Sequence, residues 1–419
     1  MTRLLDELEH PERTLRGALV GGTNGKGSVV AMVRSVLQAA GQRVGTMPKP
    51  HLVSYRERIA IDGEAVSRER FAAAIAAVLP AVDRAAAALG PPTEFEVLTA
   101  AALAELARSR VDVAVVEVGL GGRLDATNVV DLGVAAITNV QHDHEKYLGS
   151  SLSRIGTEKA AIIKPGDLAV TGASGRGLRP ILDRCQVLGV PLRRAGSRQA
   201  YRATLRASTW EGIVLDLETP DLHLRDLRIG LLGGHQAGNA TLAVAVLDAI
   251  AEDGRRRGTA LVMDEPAIRA GMAAARWPGR LELLDGSRLS AGRVLLDGAH
   301  NPAGARALAA ALRELGVHGA PLVFGAMRGK RVRAILRALA DAAPRPIFCA
   351  VSEPGVRTPA ELLDAWHAVG GVGGIEADSP LAAIAAAADR RRGDEPIVVA
   401  GSLYLVGAVR GLLTGETGP

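Results

Sequence analysis

Short runs of aliphatic and β-branched residues recur along this chain between longer alanine-rich stretches, at residues 18–20, 44–47, 113–118, 134–140, 168–171, 294–296, 322–324, 346–351 and 397–400. Runs this short and this apolar read as strands buried on both faces, and the alanine-rich segments between them as helices. Strands alternating with helices predict an α/β fold on a largely parallel sheet. Between about 196 and 230 the texture changes, because TLRASTWEGIVLDLETPDLHLRDLRI alternates polar and apolar residues. That alternation predicts a small flank of antiparallel hairpins beside the first sheet. The segment 275–293 is rich in turn formers and precedes a fresh strand, so a domain junction is expected there. The expected domains are 1–285 and 290–419, since a chain of 419 residues exceeds what one core sustains.

Composition adds bounds. Hydrophobic residues make up 48% and aromatics only 3%, so alanine, valine and leucine must fill the core. No continuous apolar run approaches the ~20 residues of a membrane span, and the start lacks a secretory apolar segment. The sequence reads as cytoplasmic, with no membrane partner. Cys185 and Cys349 stand apart without CxxC spacing and read as buried small hydrophobes. A net charge of +5 is spread over arginines interleaved with acidic residues, which argues against nucleic acid and suits small anions.

Within this frame GGTNGKGS, residues 21–28, sets Lys26 among glycines where an apolar run meets a helical pattern. Glycines there let backbone N–H groups point inward, the helix start adds its positive end, and the lysine supplies a compact charge for polyphosphate. The strict nucleotide pattern is not met, because Val20 and Gly27 stand at its first glycine and its hydroxyl; Ser28 is the nearest hydroxyl. A glycine-rich turn is the plainer alternative. Lysine usage sharpens the choice: six of 50 cationic side chains are lysine, at 26, 49, 146, 159, 164 and 330, and the rest are arginine. An ammonium is a movable charge that can lose its proton; guanidinium is not. Lys146 and Lys164 are expected to look outward.

Further candidates follow predicted strands. Glu117 ends the run DVAVVE before GLGGR, at the sheet edge where ligands of open α/β folds gather, and suits Mg²⁺. Its alternative is an acidic strand terminus. His142, Asp143 and His144 crowd one loop, which suits a metal or a phosphate contact, with one of the two histidines expected to bond to the backbone. Lys159, in SRIGTEKAAIIKPG, projects toward the same edge if its helix faces it. In VLLDGAHNP, Asp297 is placed to accept from ribose hydroxyls and His300 to approach phosphate, and VVAGSLYLVG repeats the design with Ser402. Two such units face each other across a cleft.

Together these stretches, with PHLVSYRERIAIDGE, FEVLTA, EVGLGGRLDATN, EKAAIIKPG, GHQAGNA and RWPGRLE, closely resemble the folylpolyglutamate synthase and dihydrofolate synthase family of the Mur ligase superfamily. The resemblance spans nearly the whole chain and implies a P-loop NTPase-like N-terminal domain and a C-terminal Rossmann-like domain with ATP between them. The implied reaction is ATP-driven amide formation through an acyl phosphate, joining L-glutamate to folate or dihydropteroate. The relative that acts on a non-folate carboxylate and the nucleotide-switched binding protein remain alternatives. Catalytic roles fall to Lys26, Lys159 and His144. ATP is assigned to Gly22, Thr23, Asn24, Gly25, Lys26, Gly27, Ser28, Asn239, Arg280, Asp297, His300 and Ser402. Metal is assigned to Ser28, Glu117, His144 and Lys159 as its carbamate, and the pterin to Asp125. The implied cofactors are Mg²⁺ at two sites and K⁺, and the implied assembly is a monomer. The chain departs from the family at Lys49, where serine is usual, at Ala161 for glycine, at Arg331 for aspartate, and in having about twenty residues before the glycine loop, which bears on dihydropteroate use.

Overall fold

In a computed structural model, which describes residues 1–259, 261–351 and 353–416, the runs become the strands of two sheets. The first is built from β1 (Gly17–Gly21), β2 (Val44–Met47), β3 (Ala60–Ile61), β4 (Glu64–Ala65), β5 (Val113–Glu117), β6 (Gly133–Ile137), β7 (Leu168–Thr171) and β8 (Leu192–Arg194). Their order is β4-β3-β2-β5-β1-β6-β7-β8, parallel except for β3 and β4, which turn back at one edge. Along β1 the side chains alternate between two cores. Ala18 and Val20 pack with the helix Lys26–Ala39, and Leu19 packs on the other face with Met47, Val116 and Ile137. Burial on both faces is why these strands read as unbroken apolar runs.

The predicted antiparallel flank is a three-stranded sheet of β9 (Arg202–Thr209), β10 (Gly212–Glu218) and β11 (His223–Ile229). Ile213, Leu215 and Leu217 of β10 point to one side, into the core shared with the helix Gln236–Arg256. The second domain holds β12 (Glu282–Asp285), β13 (Arg293–Leu296), β14 (Pro321–Phe324), β15 (Arg345–Cys349), β16 (Ile375–Ala377) and β17 (Ile397–Ala400), in the order β12-β13-β17-β14-β15-β16. β12 pairs antiparallel with β13, Leu283 opposite Leu295, and the rest run parallel. The second sheet thus starts at Glu282, ahead of the boundary expected at 285; the turn formers that suggested it flank a hairpin strand. Cys185 and Cys349 are buried, as expected.

One helix, Arg68–Leu89, is long and apolar enough over Arg68–Ala88 to match a membrane span by length and composition. Its continuous apolar run is broken by Asp83 and Arg84, and Ala74, Val78, Ala81 and Ala85 form a buried stripe at helical spacing.

Register brings the chemistry to one edge. Val20 lies opposite Glu117 and Gly21 opposite Ile137, so the glycine loop, Glu117 and the loop after β6 leave the sheet together. In the second sheet Leu296 lies opposite Val399, which aligns the turns beginning at Asp297 and Gly401. The carboxyl edges of the two sheets face each other across a cleft of about 730 Å³.

Candidate active site

Beyond β1 the backbone passes through Gly22 (φ +135°) and Gly25 (φ +83°) into the helix Lys26–Ala39. Both positions require glycine, because a Cβ at Gly22 would strike Thr138 and one at Gly25 the Asn239 amide. The first-turn N–H groups and the positive helix end are thereby turned to the cleft. Thr138 Oγ1 and Asn139 Nδ2 donate to the Asn24 carbonyl at 2.7 and 2.9 Å, and Gln141 N–H donates to Thr23 Oγ1 at 3.0 Å. These bonds explain why β6 stops at Ile137 although the apolar run reaches Val140. Residues 138–141 leave the ladder to brace the glycine loop.

Glu117 is 3% exposed. Its Oε2 accepts the Lys49 N–H at 3.1 Å, and its Oε1 lies 3.8 Å from Lys26 Nζ. Burial pushes this carboxyl up, against the pull of Lys26. A carboxylate so placed gains from any cation brought to it. Ser28, also buried, accepts from Gln236 Nε2 at 3.3 Å, and Asn239 Nδ2 holds Gln236 Oε1 at 2.8 Å. Lys159, 3% exposed at the end of the helix Leu152–Ala160, donates from Nζ to the Gly22 carbonyl at 2.9 Å. Burial, with repulsion from Lys26, lowers its pKa to about 7. Lys49, beside them, is lowered to about 7 as well; burial leads, Asp125 and Glu117 oppose it, and Arg58 and Lys26 add repulsion.

The loop after β6 meets the second domain through Asp143, a residue to which the sequence assigned no separate role. Its Oδ1 accepts from Lys330 Nζ at 2.7 Å, and its Oδ2 from His300 Nε2 at 3.2 Å and Asn301 Nδ2 at 3.1 Å. Burial opposes its charge, but the His300 hydrogen bond and the charges of His300 and Lys330 outweigh that and hold the carboxyl far below the usual range. Asn301 also donates to Asn24 Oδ1 at 2.9 Å, and Arg331 grips Glu145 with two bonds of 2.8 Å. His144 adopts φ +50° with its side chain 42% exposed. Desolvation by the cleft walls lowers its pKa to about 4, with Lys330 and His300 adding to it against Asp143. Ligating atoms of Asp143, His144 and His300 lie within 4.8 Å of one another.

Several expectations change. Neither loop histidine bonds to the backbone through its ring: His142 Nδ1 donates to Glu145 Oε1 at 2.8 Å, and the ring of His144 faces Asp143 at 3.9 Å. Asp297 uses its oxygens on the N–H groups of Leu281 and Ala299, at 3.0 and 2.9 Å, because the turn from Gly279 folds over it. His300 has both ring nitrogens engaged, on the Gly298 carbonyl and Asp143, rather than aimed at a phosphate. Asp125 does not line the cleft. It caps the turn Ala126–Val129 through Thr127 and accepts the Leu120 N–H at 2.8 Å. Lys164 is half-buried, with Nζ on Asn128 Oδ1 at 3.0 Å, instead of outward. The remaining assigned residues, Gly22 to Ser28, Glu117, His144, Lys159, Asn239, Arg280 and Ser402, line the cleft, and the buried Ser402 Oγ has no hydrogen-bond partner. No role for Asn139, Gln236 or Arg58 was legible in the sequence. Lys330 was legible as one of six lysines.

A glycine loop and a second α/β unit closing over it define a nucleotide-dependent ligase architecture, and the comparisons agree. A model described as the Mur ligase middle domain matches residues 20–247, and one described as the Mur ligase glutamate ligase domain matches 279–403. The chain belongs to the Mur ligase family. Its relatives within that family are folate enzymes. It is 33% identical over 414 residues to the dihydrofolate synthase/folylpolyglutamate synthase of Bacillus subtilis, covering 98% of this chain and 93% of that one. Mycobacterium tuberculosis folylpolyglutamate synthase complexed with ADP matches with a TM-score of 0.90 and 34% identity, over 99% of this chain and 94% of that one. The Escherichia coli FolC protein in complex with DHPP and ADP gives a TM-score of 0.84 and 30% identity, over 98% and 92%.

Proposed function

We propose that this chain is an ATP-dependent ligase that adds L-glutamate to a folate carboxylate through an acyl phosphate. The observation that carries the reading is one cleft in which the glycine loop with Lys26, the buried Glu117 and the buried Lys159 face the turns at Asp297 and Ser402 of the second domain. The loop N–H groups and Lys26 hold the β- and γ-phosphates of ATP. Asn239, Arg280 and the turns at Asp297, His300 and Ser402 hold the rest of the nucleotide. An oxygen of the acceptor carboxylate attacks the γ-phosphorus, the bond to the β–γ bridging oxygen breaks, and ADP leaves. The amine of L-glutamate then attacks the acyl carbon, phosphate departs, and the nitrogen loses a proton. Alignment and charge neutralisation supply most of the rate.

Mg²⁺ fits the donors present, since Glu117 is a nearly fully buried carboxylate with Lys26 Nζ 3.8 Å from its Oε1, and it lines the same cleft as the Ser28 hydroxyl. Ser28, Glu117 and His144 would hold one ion, and the carbamate of Lys159 would serve a second. Bound there, Mg²⁺ neutralises charge on the transferring phosphoryl group. Lys159 serves as a carbamate: its neutral amine, available near pH 7, adds to CO₂ and releases a proton. The enzyme acts as a cytoplasmic monomer, with K⁺ as a further ion and dihydropteroate as a second acceptor. Phosphate release is measured with tetrahydrofolate or dihydropteroate, with and without L-glutamate. Glutamate-dependent release is the expected result, and its absence with every pterin removes the reading.

A further inference from the structure

Some charged groups of the cleft are matched by opposite charges, whereas Lys159 and Arg280 rest on backbone carbonyls. Lys26 lies beside Glu117, Lys330 bonds to Asp143, and Arg328 grips Glu361 at 2.8 and 3.1 Å. Lys49 and Arg58 differ. Both line the cleft, and among the described residues neither has a carboxylate within salt-bridge distance. Lys49 Nζ sits over the Phe95 ring, and Arg58 donates from Nε to His51 Nδ1 at 2.9 Å, while its buried Nη1 has no partner. A ring and an accepting imidazole position a cation without cancelling it. The two cations are also close enough to repel each other. Like charges held together by neutral partners mark a place for an anion.

Its location says which anion. Glu117 turns Oε1 toward Lys26 and takes the backbone N–H of Lys49 on Oε2, and the Lys49 ammonium is near enough to feel both Lys26 and Arg58, so the pair shares the cleft wall with the phosphate lysine. An acceptor that ends in a glutamyl group carries two carboxylates joined by a short aliphatic chain. One must face the γ-phosphate, and the other needs a counter-charge nearby. Resting on the ligase reading above, we propose that Lys49 and Arg58 form a subsite for the non-reacting carboxylate of the acceptor and so select glutamyl-terminated acceptors over those with a single carboxylate.

Steady-state KM values test this for pteroylglutamate-type and pteroate-type acceptors, ATP and L-glutamate, in the wild type, Lys49→Ser, Lys49→Arg, Arg58→Gln and Arg58→Lys, with thermal unfolding to verify folding. Removing one charged contact is expected to raise KM for the glutamyl-terminated acceptor about tenfold or more. The other three KM values should move less than about twofold, and Lys49→Arg should retain most of the affinity. Equal rises for both acceptors, a rise for L-glutamate instead, or no change overturns the subsite. If the wild type turns over neither acceptor, the ligase reading fails on its own. The subsite is then read by calorimetry with glutarate against butyrate in the presence of ADP. Glutarate binding that Lys49→Ser abolishes supports it, and equal binding to both variants overturns it.

Discussion

On the first-domain wall of the cleft, Lys159 is held by the Gly22 carbonyl, Lys49 by the Phe95 ring and Arg58 by the His51 imidazole, and among the described residues none of the three has a carboxylate within salt-bridge distance. On the opposite wall Lys330 and His300 are bonded to Asp143, Arg331 to Glu145, and Asp297 to two backbone N–H groups. Uncancelled cations buried against neutral groups lower stability and attract anions, whereas matched ones tie surfaces together. The first wall is therefore arranged for ligands. The second wall ties the two domains together, and a ligand that needs His300 or Lys330 must exchange those bonds.

The largest effect should come from removing the charge that faces phosphate. Lys26→Ala is expected to lower kcat/KM for ATP by about 10²- to 10³-fold, with Lys159→Arg close behind because guanidinium forms no carbamate. A Lys159→Arg enzyme at wild-type rates would refute its role. Carbamate itself is visible by NMR with ¹³CO₂. Its signal should grow as pH rises through about 7, where Lys159 loses its proton, and fade below.

Glu117→Gln separates ligand service from stability on the same wall. Burial disfavours its charge, so the amide should leave Tm unchanged or raised while ATP turnover falls at least tenfold. A fall in Tm of several degrees would place Glu117 among the structural carboxylates.

Asp143→Asn tests the closing wall. Its side chain is 7% exposed with three partners, so its loss should cost about 3 kcal/mol in unfolding and expose the loop 141–145 to protease. The sign with pH follows from a depressed carboxyl. Stability is fully present above the unfolded-state value near 4 and falls as pH drops below it. The wild type should lose stability on acidification over that range, and Asp143→Asn should lose less. The smallest effect is expected at Arg331→Asp, since the pair with Glu145 is exposed. A loss of at most about 1 kcal/mol, shrinking further with salt, marks it as a surface contact.

Much of this was legible in the sequence where the cause is local. The glycine loop, Lys26 and Ser28 lie within eight residues, and the positive φ at Gly22 and Gly25 demands glycine whatever packs nearby. Glu117 was legible because a parallel strand ends on it. Asp143 was not, because its partners Lys330, His300 and Asn301 follow it by more than 150 residues. Asp297 was read as a ligand group because the turn that covers it, Gly279 to Leu281, lies on a separate strand connection. Asp125 was assigned to the pterin by resemblance, and that assignment carried no sign that its oxygens also cap the turn Ala126–Val129.

The alternating strands and helices, the antiparallel flank and the phosphate loop were readable from one dimension, as was the interest of Lys26 and Lys159, since these follow from side-chain periodicity, backbone freedom and amine chemistry. Which polar groups bond to one another, and which find no ion-pair partner, emerged from the folded chain alone. That outcome depends on distances of a few ångströms between residues far apart in the chain. Lys49 shows the division: the sequence marked it as a lysine without a reason, and the fold set it near Arg58 with, among the described residues, no carboxylate within salt-bridge distance of either.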